Sequence, residues 1–496
     1  MSTSLQKASP TAWCLPAGSF LRSGLLLLAF GVASLPACTQ KAHLVDPQVS
    51  NAQSLITQTF FPNLERIEFA ANLAADDHLR TGLTPGMSLA VAKDGKVIFE
   101  RAYGEADVEN GILAGPETVY KIGSLTMQFT AAIVMRLVEE GRVSLDDSVT
   151  RFLPDYPTQG NQVTIRHLLN HTSGIKSFRI MDEENRQRFR QDLTYGEMVQ
   201  HFGEQPFDFQ PGEAFSENNM AYYLLGEIIS RVTGLPYEDY VNTQLLQPLQ
   251  LNHTAFCNDK RLIPHRALGY EYEEGKLINA RYVSMQVAGG AGALCSNLSD
   301  LLRWTYLLHS GQVVSPASLR QMISPTRLAG GDSVGYGFGL ELDELGGHPQ
   351  VFHSGSANGF VSALAHYPQD GLTVAVFMNS TIGKPLEVLK TLARAALGLE
   401  VHDLPLRYKE SSRYQGTYTY RVGHKTRELR VFCEKGQLKA QPLGGKPFRL
   451  LYQGNHVFVP EVNEDLRLAF SVENGRVQGL NLHAGRWEVT SATRKS

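Results

Sequence analysis

From residue 64 onward, apolar and polar positions fall into blocks whose period changes along the chain. In 64-LERIEFAANLAADDHL-79 the apolar spacing is helical. Across 84-TPGMSLAVAKDGKVIFERAYGEAD-107 the period falls to two, which predicts strand, turn, strand with the turn at Lys93-Asp94-Gly95-Lys96. The apolar run 121-KIGSLTMQFTAAIVMRL-137 predicts a helix that stops near Gly141. Loops rich in Pro, Asp, Thr and Gly come next. Helices follow at 220-MAYYLLGEIISRVTG-234 and around 298-LSDLLRWTYLLHSG-311, the second capped by Ser296 or Asn297. Two late stretches, 350-QVFHSGSANGFVSALAHYP-368 and 372-LTVAVFMNS-380, read as strands, and 384-KPLEVLKTLARAALG-398 as a helix. Helices in the middle with strands at both ends predict an α/β (α+β) sandwich, its first and last strands paired in one antiparallel sheet. After Pro405 the texture becomes short alternating runs with Lys-Gly, Gly-Gly and Asn-Gly turns. That predicts an all-β domain of roughly eighty residues, a small antiparallel barrel.

The 496 residues suffice for two or three domains with cores. A net charge of -3 gives no electrostatic case for nucleic acid as a partner. The histidines are scattered, and neither HExxH nor paired CxxC spacing occurs, so no metal or other cofactor is expected. Ahead of the periodic region, Lys7 and Arg22 precede 23-SGLLLLAFGVASLPACTQ-40. This apolar run is short for a membrane span and ends in small residues, as a secretory signal does. The segment 35-LPAC-38 resembles a bacterial lipobox, which implies cleavage before Cys38 and a lipid on its thiol. Thr39 is not an acidic inner-membrane retention signal, which favours an outer-membrane anchor in a Gram-negative cell. The expected organisation is a signal peptide with lipobox cysteine at 1–38, a tether at 39–60, a catalytic-type domain at 61–400 and the barrel at 406–496. Such a chain is exported to the cell envelope, where its membrane contact is the lipid. Of the remaining thiols, Cys257 and Cys295 are the one pair worth testing for a disulfide.

Ser124 opens an apolar helical run, a common place for a nucleophile. The stretches 121-KIGSLTMQFTA-131, 163-VTIRHLLNHTSGI-175, 211-PGEAFSENN-219, 289-GGAGALCSNLSDLLRW-304, 336-YGFGL-340 and 353-HSGSANGF-360 together resemble the serine β-lactamase and penicillin-binding-protein superfamily, in its class C, DD-peptidase and esterase branch. The C-terminal barrel is similar to lipocalin-like modules appended to some members. The resemblance implies an antiparallel sheet flanked by helices plus a helical lobe. It also implies acyl-serine chemistry on an ester, amide or D-amino-acid peptide, possible cell-wall fragments included.

Family chemistry needs a Ser-x-x-Lys turn, a Tyr-x-Asn loop and a Lys-Thr-Gly or His-x-Gly strand. Ser124 matches the nucleophile, but Met127 stands where the lysine belongs. Aligning on Pro211-Gly212-Glu213 and Leu224-Leu225-Gly226 puts Glu217 at the tyrosine position and Asn219 at the substrate-binding asparagine. His353-Ser354-Gly355 matches the His form of the strand motif, and the oxyanion hole carries over to the backbone N–H groups of Ser124 and Ser356. Both general-base positions are therefore changed, and losing such a base costs about 10²- to 10⁴-fold.

Glu217 could replace the base if burial raised its pKa toward neutrality, helped by the loss of a cation at Met127. His353 could orient substrate or pair with Glu217, whereas His171 reads as structural. Three readings follow. The chain is a hydrolase with atypical proton-transfer groups, a pseudoenzyme that binds a peptide or cell-wall ligand, or an envelope adaptor working through its barrel. Among active outcomes, rapid β-lactam hydrolysis is the most disfavoured, since deacylation depends most on the missing groups.

Overall fold

The structure is a computed structural model that describes residues 62–494, apart from 81, 83, 179–182, 400, 402, 423–424, 462–465, 474 and 485–486. The expected signal peptide, Cys38 and tether lie outside the described residues. No helix among the described residues is long and apolar enough to cross a membrane.

Strand Gly86–Lys93 is buried on both faces, as suits a run of Met, Leu, Ala and Val at the centre of a sheet. It pairs with Lys96–Asp107 across the Asp94–Gly95 turn, and on its other side with Leu372–Met378, in register from Met87↔Met378 to Lys93↔Leu372. The early and late strands are therefore neighbours, as the sequence predicts. The sheet runs on through Phe360–Tyr367 and His348–Ala357 to Glu341–Leu345, and ends at Ile112–Leu113 on the opposite edge, seven strands in all. Helices Leu64–Arg80 and Pro385–Leu397 cover one face through Ile67, Ala71, Leu389 and Leu392. The larger helical part packs around the buried helix Thr126–Glu139 on the other side.

One expectation needs correcting. The stretch 350–368, read as one strand, is a hairpin of two, His348–Ala357 and Phe360–Tyr367, turning at Asn358-Gly359. Gly359 has φ +80, and a Cβ there would lie 2.5 Å from the Cα of Gly269, so the turn depends on glycine. Short strands Tyr120–Lys121, Leu294–Ser296 and Ala255–Phe256 form a small sheet leading into the Ser124 turn. Cys257 and Cys295 lie buried there as free thiols, not as a disulfide.

The C-terminal strands form a closed barrel of eight, in which Gly416–Val422 pairs with Trp487–Arg494. Tyr414, Tyr418, Phe458 and Phe470 pack edge-to-face with Leu429, Leu450 and Leu480 among them. Eight strands leave an interior about wide enough for side chains, and these side chains occupy it.

Candidate active site

Gly123–Leu125 forms a single 3₁₀ turn ahead of helix Thr126–Glu139. Leu125 is the helix N-cap and no side chain caps it, so the Ser124 hydroxyl is not spent on capping. Ser124 is half-buried and faces a cavity of about 600 Å³. The turn is pressed onto strand His348–Ala357. Gly123 has φ +52, and a Cβ on it would lie 2.6 Å from the Ser356 nitrogen and 2.5 Å from its oxygen. At Gly355 a Cβ would lie 2.0 Å from the Ile122 carbonyl oxygen. These two glycines let the Ser124 turn pack backbone to backbone against the strand that carries Ser356. Thr126 holds the turn from behind, its Oγ1 accepting the Leu294 N–H at 3.1 Å.

The opposite wall is the loop entering helix Asn219–Thr233. Asn218 caps that helix, its Oδ1 accepting the Ala221 N–H at 2.9 Å while its Nδ2 donates to the Ile175 carbonyl at 2.6 Å. His171 braces the loop from within: its carbonyl accepts the Ser216 N–H at 3.0 Å and its Nδ1 accepts the Asn218 N–H at 3.1 Å. The Asn219 backbone N–H donates to the Ser177 hydroxyl oxygen at 3.0 Å, and its Nδ2 donates to the Phe178 carbonyl at 3.0 Å. Ser124, Glu217, Asn219 and Ser356 thus line one cavity, together with Lys176, Asp208 and Asn358. Lys176 donates to Asp208 at 2.7 Å, and among the described residues no cation pairs with Glu217.

This layout can be set beside known proteins. The Beta-lactamase family model matches residues 74–398, about two thirds of the sequence. The chain belongs to the beta-lactamase family. Relatives include Penicillin-binding protein 4* of Bacillus subtilis (strain 168), 29% identical over 389 residues, which are 71% of this chain and 85% of that protein. Protein flp of Staphylococcus aureus (strain MW2) is 29% identical over 318 residues, 61% of each chain. Among solved structures, the octameric penicillin-binding protein homologue from Pyrococcus abyssi aligns with a TM-score of 0.60 and 25% identity, over 87% of this chain and 100% of that one. D-amino acid amidase from Ochrobactrum anthropi SV3 aligns with a TM-score of 0.57 and 25% identity, over 66% and 98%.

As a member of the beta-lactamase family, the chain departs from the pattern at two places, Met127 and Glu217, and the side chain of its matching strand histidine does not line the cavity. Met127 is 0% exposed and lies beneath the cavity without lining it, a core side chain in the lysine slot. Glu217 is exposed, so the burial that a compensating carboxylate would need is not present. His353 is 2% exposed and does not line the cavity. Its Nδ1 bonds the Ser354 carbonyl at 2.6 Å, and its Nε2 bonds the Tyr336 hydroxyl at 3.2 Å, so its ring is engaged away from Glu217. Gly355 likewise contributes as backbone packing and not as cavity lining.

Sequence reasoning missed Tyr336, whose hydroxyl also bonds His171 Nε2 at 3.0 Å. Burial, and after it the nearby His353, hold the His171 imidazole down at about 3. Burial likewise raises the Tyr336 phenol well above its ordinary value. The signal lay in 336-YGFGL-340, legible only as part of the family likeness. Lys176 and Asp208 carried no sequence signal, because they meet across separate loops.

Proposed function

We propose that this chain is an acyl-serine hydrolase with atypical proton transfer. Ser124 Oγ bonds to the carbonyl carbon of an ester, amide or D-amino-acid peptide. The oxyanion rests on the Ser124 and Ser356 N–H groups, and the leaving alcohol or amine departs with a proton. Water then attacks the acyl carbon and restores the serine. Glu217, exposed in the free protein, is the carboxylate on the same cavity wall that takes the serine proton once bound substrate covers it. The observation that carries this reading is the convergence of a non-capping Ser124, the Ser356 strand and Asn219 on one cavity. The amidase and penicillin-binding-protein names among its neighbours support the substrate class.

A second reading, ligand binding without turnover, draws support from the buried Met127, the exposed Glu217 and the engaged His353. Hydrolysis of a p-nitrophenyl ester and of D-alanine p-nitroanilide, compared with Ser124→Ala, separates the two. Rates equal to those of Ser124→Ala, with ligand binding retained by calorimetry, would favour the binding cleft. We also propose export with a lipid on Cys38, bringing the protein to the envelope where cell-wall peptides occur. Radiolabelled palmitate incorporation that survives Cys38→Ala would refute that anchor. The filled barrel interior supports a packing or contact role for that domain rather than ligand storage.

A further inference from the structure

Four hydrogen bonds join the loop that carries Glu217 and Asn219 to the strand that carries Ser356, and the proton on each can be deduced. The Asn218 backbone N–H can only donate, so His171 Nδ1 is a bare acceptor. The His171 proton then sits on Nε2 and is donated to the Tyr336 hydroxyl oxygen at 3.0 Å. At the far end the Ser354 carbonyl can only accept, so His353 Nδ1 carries a proton and donates at 2.6 Å. Between them stands one phenolic proton. Tyr222, whose own hydroxyl proton goes to the Leu169 carbonyl at 2.7 Å, also contacts the Tyr336 hydroxyl and competes with His353 Nε2 as its acceptor. His353 Nε2, buried with the residue 2% exposed, would be left without a donor unless Tyr336 supplies one.

The geometry points to Tyr336 as a positioning residue: by donating to His353 Nε2 it fixes that ring as the neutral Nδ1–H tautomer and ties the Ser356 strand to the Glu217–Asn219 loop. The backbone of His171 is itself held at φ +60, unusual for a non-glycine residue, which is consistent with a side chain aimed for this purpose. The charged groups around the chain are carboxylates. Glu341 lies on the neighbouring strand and receives the Ser354 N–H, with Asp343 beside it, and Glu217 lies on the loop. Those carboxylates favour a cation, so the hydrogen bonds, and not the surrounding charge, hold His353 neutral.

The tautomer does not depend on catalysis; only its effect on Ser124 acylation rests on the proposed hydrolase reading. Imidazole-nitrogen NMR on the full chain, with the His353 signals assigned by their loss in His353→Gln, tests it. The expected pattern is a protonated Nδ1 and a bare Nε2 at neutral pH. An imidazolium or an Nε2–H tautomer in the wild type would overturn the assignment, and that spectrum decides even if variants fold poorly. In Tyr336→Phe the Nε2 resonance is expected to move because it has lost its donor, and an unchanged spectrum there also overturns the assignment. Fluorophosphonate labelling of Ser124 should fall at least about tenfold in Tyr336→Phe, less than the 10²- to 10³-fold of losing an oxyanion donor outright. A changed Nε2 signal with unchanged labelling refutes the link to the Ser356 strand. A wild type that shows the expected tautomer but never labels leaves the assignment standing and removes the hydrolase reading.

Discussion

Met127→Lys restores the residue that the family motif expects and places an amine where the structure is dry. Met127 is 0% exposed, and its backbone is backed by Gly339, where a Cβ would lie 2.8 Å from the Met127 carbonyl. Lysine is similar in length to methionine, so the main cost is desolvation of the ammonium. An ordinary lysine has a pKa of about 10.4, and full burial lowers it by as much as about 3 to 5 units. At pH 7 the folded variant then holds the lysine largely neutral, which at about 1.4 kcal/mol per unit costs roughly 4 kcal/mol. The folded-state pKa lies below the unfolded one. The variant therefore matches wild type above about pH 10 and loses stability as pH falls toward the folded value near 7. A fold with about 5–15 kcal/mol of stability survives this. Urea unfolding of both proteins at neutral and alkaline pH measures the difference. Equal midpoints at neutral pH would mean that the position is wet or faces an anion, and would refute the core assignment of Met127. Where the neutral amine reaches Ser124, fluorophosphonate labelling should rise by up to about 10²-fold, the lower range of what a general base supplies.

Gly123→Ala should abolish labelling of Ser124 while leaving a folded protein, because its φ of +52 and Cβ contacts of 2.5 to 2.7 Å with Ser356 force the turn off the strand; labelling at the wild-type rate would show that the turn does not need that contact. Glu217→Gln should slow labelling by about 10²-fold if Glu217 accepts the serine proton, and an unchanged rate removes it from the mechanism. The stacked rings of His309 and His366, 4.1 Å apart, are held by burial at about 3 and about 4. Both values lie below the unfolded one, so this stability is complete above about pH 6.5 and is lost as pH falls toward 4, on the order of 3 kcal/mol per ring. Urea midpoints across that range should drop less in His366→Gln than in wild type, and an identical slope would refute the contribution.

The sheet and its helices were legible because their periods are clean: strand Gly86–Lys93 is nearly continuous apolar sequence, and helix Asn219–Thr233 ends at Gly234, in the left-handed conformation that its C-terminal position favours. The hairpin at Asn358-Gly359 was not, because apolar residues continue on both sides of the turn and hide the break. At the site, Ser124, Asn219 and Ser356 were legible as motif positions. Exposure of Glu217 and the aim of His353 were not, because each is set by contacts across distant segments. The Tyr336 hydroxyl draws His353 inward from seventeen residues away, and no local rule encodes that. His171, read as structural, is the support on which that chain begins.

The central claim is that Ser124 is a reactive nucleophile on a preformed oxyanion site. Intact-protein mass after fluorophosphonate treatment tests it most directly. The account predicts a single adduct on the wild-type chain, mapped to Ser124 and absent from Ser124→Ala. No adduct at any pH between about 5 and 9, in a protein that remains folded, would contradict it.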